Sequence, residues 1–127
     1  GDTRLTGALG SANSLVGSGA NDRVGSGGVT VLADGNYVVS SPEWDSGAVA
    51  DVGAATWGSG ASGVRGPIGP ANSLVGSTAG DRVGAVTALA NGNYVVSSPE
   101  WDSGAAADVG AVTWGSGNTG ATGLIGS

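Results

Sequence analysis

Short runs of alternating apolar and polar residues, separated by glycine-containing turns, recur along the chain. Residues 86–90 alternate in this way, and the turn sequence Asn91-Gly92-Asn93 and a second β-rich run at 94–97 follow them. Asn-Gly between two such runs favours a β-hairpin with a type I′ turn, because both central residues of that turn need positive φ. The pattern predicts a hairpin over 86–97.

The same hairpin pattern occurs earlier in the chain, with Asp34-Gly35 as its turn. No stretch has the apolar spacing of a helix, so the sequence predicts an all-β fold. Further strands are predicted at 54–57, at 111–114, at 73–76 and around Leu15-Val16.

The hairpin patterns recur because the chain contains nearly the same sequence twice. Residues 12–18 return unchanged as 71–77, and residues 35–47 return unchanged as 92–104. The offset is 59 residues in the first case and 57 in the second, since the second copy lacks two residues equivalent to part of 26–28. A two-residue deletion preserves the alternation of strand faces. A period of this size is typical of repeat architectures.

The repetition predicts how the chain is divided. Two repeats are expected at 12–70 and 71–127, preceded at 1–11 by the tail of a third, which aligns with 117–127. This phase indicates either a cut through a longer array or a strand that one end of the chain supplies to complete a unit formed at the other end.

Four short strands in a repeat of this length are typical of a β-propeller blade, and propellers close with about four to eight blades. A chain with two blades closes such a ring only by homo-oligomerisation, with copies arranged head to tail around an axis. An open two-sheet sandwich and a linear β-solenoid stack of the same units are the alternatives.

Three short motifs follow one another in the same order in both repeats. In the second repeat they are Val83-Gly84, Ser97-Ser98-Pro99 and residues 110–114. This order resembles the FG-GAP repeat of integrin-α-type propellers, which implies a four-stranded blade. The chain also resembles a repeat of unknown function that occurs in tandem in large bacterial surface proteins of the filamentous-haemagglutinin kind. That second resemblance implies an extracellular or cell-surface location.

Many FG-GAP blades bind calcium in an aspartate-rich loop between their first two strands. The corresponding loops here are 32–36, with one carboxylate at Asp34, and 89–93, with none. Calcium takes about six to eight oxygen ligands, several of them from carboxylates. We therefore expect that this metal site is not retained.

Composition narrows the classes of function. The net charge is −6, and the only basic residues are Arg4, Arg23, Arg65 and Arg82, whereas binding to nucleic acid requires clustered Lys and Arg. No apolar run approaches the roughly 20 residues of a membrane span. Since the chain has no His and no Cys, catalytic triads, Cys–His pairs and histidine zinc sites are excluded. We predict neither an enzyme nor a cofactor.

An acidic motif with a central tryptophan occurs once in each repeat and is the candidate ligand-binding site. It is Glu43-Trp44-Asp45 in the first repeat and Glu100-Trp101-Asp102 in the second. Carboxylates that accept hydrogen bonds from sugar hydroxyls beside a stacking tryptophan would form a carbohydrate site, and paired carboxylates could bind a cation. The alternative is a solvated turn in which aspartate caps backbone amides and tryptophan covers the edge of the blade.

Other recurring residues are predicted to be structural. The pairs Asp22-Arg23 and Asp81-Arg82 occupy equivalent positions, and the planar guanidinium of arginine suits a bidentate bond to a carboxylate. Trp57 and Trp114 lie within predicted strands between small residues, which predicts core packing for both.

Together these observations predict a structural or adhesive repeat module of a secreted or surface-exposed bacterial protein. Its expected partner is a second copy of itself or the neighbouring repeats of a longer array. The alternative is a lectin-like module that binds glycans through the two acidic motifs, with oligomerisation multiplying weak affinities.

Overall fold

The fold is built from short β-strands. The computed structural model describes residues 7–126, and within them there are ten strands and no helix. This confirms the predicted all-β fold. Residues 1–6 of the predicted tail segment at 1–11 lie outside the described residues. The strands are β1 (Leu15–Val16), β2 (Gly28–Val31), β3 (Tyr37–Ser41), β4 (Ala54–Gly58), β5 (Gly66–Pro67), β6 (Ser73–Val75), β7 (Ala85–Ala88), β8 (Tyr94–Ser98), β9 (Ala111–Gly115) and β10 (Gly123–Leu124).

Each repeat contains an antiparallel three-stranded unit that begins with the predicted hairpin. β3 pairs with β2 and β4, and β8 pairs with β7 and β9 in the same register. The period-2 alternation of the sequence therefore identified these hairpins correctly.

The hairpin turn differs from the predicted type I′ turn. Gly92 N–H donates to the Leu89 carbonyl at 3.2 Å, and of the turn residues only Gly92 has a positive φ, of 92°. The loop is longer than two residues because β7 ends at Ala88 and β8 begins at Tyr94. A turn followed by one left-handed glycine is the usual solution for such a length.

The largest sheet contains strands of both repeats. Its order is β2-β3-β4-β6-β10, in which β2 to β4 belong to the first repeat and β6 and β10 to the second. β6 runs antiparallel to β4, with Ala54 opposite Val75 and Thr56 opposite Ser73, whereas β10 runs parallel to β6. We call this five-stranded sheet the complete sheet.

The other two sheets correspond to the two parts of a second sheet of this kind. β7, β8 and β9 form an antiparallel sheet equivalent to β2, β3 and β4, and we call it the C-terminal half-sheet. β1 and β5 form a parallel pair equivalent to β6 and β10, and we call it the N-terminal half-sheet. The chain thus contains one complete sheet and, separately, both parts of another.

One face of the complete sheet packs against the C-terminal half-sheet. Ala55 and Leu74 belong to a buried cluster that also contains Tyr94 and Val96 from β8. This cluster is the larger of the two hydrophobic cores, and it joins the first repeat to the second.

The opposite face packs against the N-terminal half-sheet. Ala54 and Val75 belong to a second buried cluster, which contains Ile68 and packs against Leu15 of β1. Since successive residues of a strand point to opposite faces, the complete sheet is covered on both sides. The half-sheets therefore lie at the two ends of a three-layer stack.

Candidate functional site

The two repeats are joined by a ladder between β4 and β6. Thr56 and Ser73 lie opposite each other in this buried ladder, and their hydroxyls form a hydrogen bond of 2.6 Å. Ser73 donates its own proton to Asn72 Oδ1 at 2.8 Å, so Thr56 is the donor to Ser73. Leaving either hydroxyl unpaired in the core would cost free energy, and the pair therefore helps to fix the register of the ladder.

Beside this ladder, two loops pair through their backbones. Gly80 N–H donates to the Ala50 carbonyl, and Arg82 N–H donates to the Asp51 carbonyl, both at 3.0 Å. Val83 N–H donates to the next carbonyl, that of Val52, also at 3.0 Å. These bonds extend the junction between repeats beyond the regular strands.

Trp57 is fixed by a loop of the second repeat. Its indole Nε1–H donates to the Gly117 carbonyl at 2.9 Å, and Asn36 Nδ2 donates to the same carbonyl at 2.7 Å. A Cβ at Gly120 would overlap the Trp57 side chain, so the loop approaches the indole because residue 120 is glycine. Trp57 is half-buried and packs against the larger cluster.

The same loop binds Tyr94, which sequence reasoning did not single out. Tyr94 is 1% exposed, and its hydroxyl oxygen accepts a hydrogen bond from Ala121 N–H at 2.9 Å. Burial raises the pKa of Tyr94 above its usual value of 10.0, while the bond from Ala121 lowers it in part. The recurring glycine pair, Gly60 and Gly63 in one repeat and Gly117 and Gly120 in the other, was the available sequence signal for this loop.

Asp81 is a buried carboxylate that organises the loop at 76–83, which pairs with residues 50–52 and which we call the junction loop. Its Oδ2 accepts hydrogen bonds from Ser77 N–H and Thr78 N–H, both at 3.0 Å, and its Oδ1 accepts one from Asp102 N–H at 3.1 Å. The Arg82 side chain is exposed. Backbone amides therefore hold Asp81, in place of the predicted pair with arginine.

Asp22 repeats this arrangement in the first repeat. Its carboxylate accepts hydrogen bonds from Ser18 N–H, Gly19 N–H and Asp45 N–H at 2.8 to 3.1 Å, and the Arg23 side chain is exposed. Arg23 and Arg82 share a positive φ, of 49° and 51°. The pairs are thus equivalent in structure as well as in sequence, and the backbone is what binds their carboxylates.

The tryptophans of the two acidic motifs differ in exposure. Trp44 is 4% exposed and belongs to the smaller core cluster, whereas Trp101 is half-buried and packs against the larger one. Glu43 is half-buried and Glu100 is exposed. A stacking sugar needs an open indole face, and the structure does not leave one at Trp44.

The aspartates of these motifs cap local turns. Asp45 Oδ1 accepts a hydrogen bond from Asp51 N–H at 2.8 Å, and Asp102 Oδ1 accepts one from Asp108 N–H at 2.8 Å. This is the geometry of the turn-capping alternative.

Within residues 7–126, no group of three His, Cys, Asp or Glu side chains is placed so that it could hold a metal ion. In the same range, no helix has the length and apolar character needed to cross a membrane.

Strand β9 carries two exposed apolar side chains on one face. Val112 is 73% exposed although its equivalent Ala55 is 1% exposed, and Trp114 is 58% exposed. Trp114, predicted to pack in the core, is thus exposed in the single chain. The reason is that Ala55 and Trp57 face the C-terminal half-sheet and its loop at 117–120, whereas within residues 7–126 no further layer covers the equivalent face of β9, and no counterpart of β6 pairs with it.

Comparison with protein-family models finds one family along nearly the whole sequence. Three matches, to residues 1–26, 31–85 and 88–127, are to a family described as a repeat of unknown function (DUF5650). The match at 31–85 contains β3 to β6 and so includes strands from both sides of the junction. No curated protein and no solved structure matches the chain. The chain belongs to this family of repeats, DUF5650.

Proposed function

We propose that the chain is a non-enzymatic structural or adhesive repeat module, and that it associates with like repeats by completing β-sheets between them. The observation that carries this proposal is the division of the sheets. The chain has one complete sheet made from two repeats, and it has both parts of a second sheet at the two ends of the stack.

The exposed surfaces support association. An unpaired strand edge is a template for pairing with another chain, and a contiguous exposed apolar surface indicates an interaction site. Both features occur together at the C-terminal half-sheet, because among residues 7–126 β9 is an edge strand and it carries the exposed side chains of Val112 and Trp114. On the face of the complete sheet that packs against the N-terminal half-sheet, Val29 and Val31 of β2 are exposed.

The proposed contact joins two different surfaces, one from each end of the stack. Such head-to-tail contacts form a ring when the rotation between copies closes, and an open filament when it does not. A closed ring would be the propeller that the sequence resemblance implies, and an open one would be the linear stack. The bacterial surface location rests on the resemblance to tandem repeats of surface proteins.

Light scattering on a sizing column, over a range of protein concentrations, tests the proposal. We expect masses that are multiples of the 11.9 kDa chain, either as one discrete ring or as a series that grows with concentration. A folded monomer at the highest concentration would overturn it. A glycan array tests the alternative, a lectin-like module. That alternative predicts that the wild-type chain binds a glycan and that the Trp101→Ala variant does not.

A further inference from the structure

We propose that β9 of one copy pairs with β1 of a second copy, and that Trp114 of the first copy fills a cleft beside Tyr37 of the second. The partner is a second copy of this chain, docked head to tail. This inference rests on the proposed function and names the residues that would make the contact.

The register follows from the junction inside the chain. There, Thr56 lies opposite Ser73, Ala55 opposite Leu74 and Ala54 opposite Val75. The repeat offsets of 57 and 59 residues convert these pairs into contacts between copies. The resulting pairs, with β9 named first, are Thr113 with Ser14, Val112 with Leu15 and Ala111 with Val16.

The hydrogen bond between the hydroxyls of Thr56 and Ser73 can have an equivalent between copies. Ser14 donates its hydroxyl to Asn13 Oδ1 at 2.9 Å, as Ser73 does to Asn72. Its oxygen is therefore in the same role as that of Ser73, an acceptor for a threonine hydroxyl. Thr113 of the other copy would supply that donor.

The N-terminal end of the stack contains a cleft that corresponds to the site of Trp57. The cleft has a volume of about 480 Å³, and its lining includes Tyr37, Gly63 and Val64. In the second repeat, the equivalents of these residues are Tyr94, Gly120 and Ala121, and Trp57 lies against Gly120. The cleft is thus the equivalent of an indole site, without an indole from the same chain.

Trp114 is the residue that fits this cleft by repeat equivalence. Trp57 Nε1–H donates to the Gly117 carbonyl, and the equivalent bond would run from Trp114 to the Gly60 carbonyl of the second copy. Gly60 is already placed as Gly117 is, because its N–H donates to Asn36 Oδ1 at 2.9 Å, as Gly117 N–H does to Asn93 Oδ1. The receiving loop therefore has the conformation that the bond requires.

Apolar surfaces match around this contact. Val86 of β7 is half-buried against the larger core cluster, whereas its equivalent in the first repeat, Val29, is exposed. Docking would bring Val29 of the second copy towards Val112 and bury both. The favourable term is the removal of apolar area from water.

Cysteine pairs test the register directly, because the chain has no cysteine of its own. Ser14→Cys and Thr113→Cys are prepared as separate proteins, mixed and oxidised. We expect a disulfide-linked dimer that contains one of each, and little product from either protein alone. The matched control is Val16→Cys mixed with Thr113→Cys, a diagonal pair that should cross-link several-fold less.

Trp114→Ala tests the cleft, with Val49→Ala as the control for loss of an exposed apolar side chain. Since tryptophans in docked pockets dominate interface energies, we expect Trp114→Ala to weaken association about tenfold or more and Val49→Ala to leave it unchanged. A circular dichroism spectrum checks that each variant is folded.

The outcomes separate this inference from the proposed function. If the wild-type chain is monomeric throughout, both fail. If it forms oligomers that Trp114→Ala does not weaken, or that cross-link equally through the control pair, the chain associates by another surface and only this inference is overturned.

Discussion

Strands β4 and β9 have almost the same sequence, Ala-Ala-Thr-Trp-Gly and Ala-Val-Thr-Trp-Gly, yet they have different surroundings. Four of the five residues of β4 are buried, whereas in β9 only Gly115 is. Within the described residues, β4 pairs with β6 and one of its faces is covered by the C-terminal half-sheet, whereas β9 has neither an equivalent of β6 beside it nor a layer over the same face. In this chain the neighbouring repeat therefore decides whether a residue is core or surface.

The unequal surroundings of β4 and β9 affect the stability of the chain. In repeat proteins, stability is approximately the sum of the intrinsic stabilities of the repeats and the terms for their interfaces. The junction at β4 contributes such a term within the chain, and the equivalent surface at β9 contributes one only if another repeat docks. Equivalent substitutions at the two places should thus have unequal effects.

The largest difference is expected for the leucines of β6 and β1. Leu74 is buried between β4 and the C-terminal half-sheet, so Leu74→Ala should lower the free energy of unfolding by about 2–5 kcal/mol. Leu15 is half-buried, and Leu15→Ala should cost about 1 kcal/mol. Urea denaturation at low protein concentration measures both. Equal losses would show that the N-terminal half-sheet is already packed as tightly as the junction.

An intermediate difference is expected for the two buried aspartates. Asp81→Asn places an amide NH₂ where the carboxylate accepts backbone N–H bonds, which should cost about 1–3 kcal/mol. Asp22→Asn makes the same replacement of one acceptor oxygen in the equivalent set of three bonds, but its loop is not the one that pairs with 50–52. We expect the smaller loss at Asp22. A larger loss there, again measured by urea denaturation, would contradict the assignment of residues 76–83 as the junction loop.

The local structure of both repeats could be predicted from the sequence. Period-2 alternation and turn residues determine a local structure, and they identified the hairpins of both repeats. For Asp45 and Asp102 the sequence allowed two roles, turn capping and ligand binding, because a carboxylate near a tryptophan fits either one. The structure shows both aspartates capping turns.

What could not be predicted is non-local. Nothing in the residues of β6 shows that it pairs with β4 of the preceding repeat, since that contact depends on how the chain turns at 59–72. Trp57 and Trp114 have the same neighbours in sequence, so the pattern predicted one environment for both. Only the phase of the repeats, with a tail before the first, indicated that strands pass from one unit to the next.

The smallest expected effect concerns the two tyrosines, and it depends on pH. Burial raises the pKa of Tyr94 in the folded chain, so the folded state holds its proton more tightly than the unfolded state does. Stability should be complete below the usual tyrosine pKa of about 10 and should fall as the pH rises beyond it. Tyr94→Phe should remove part of this fall and, by losing the bond from Ala121, cost about 1 kcal/mol at neutral pH.

Tyr37→Phe is the matched control, because Tyr37 lies beside the open cleft and not in the larger core cluster. It should leave the neutral-pH stability of the monomer nearly unchanged. Urea denaturation at several pH values between about 8 and 11 gives, for each variant, the stability at the lower pH and its loss at alkaline pH. If Tyr94→Phe retained the full alkaline loss of stability, the titration of Tyr94 would not be its cause, and the loop at 116–122 would not enclose that hydroxyl as tightly as the hydrogen bond to Ala121 indicates.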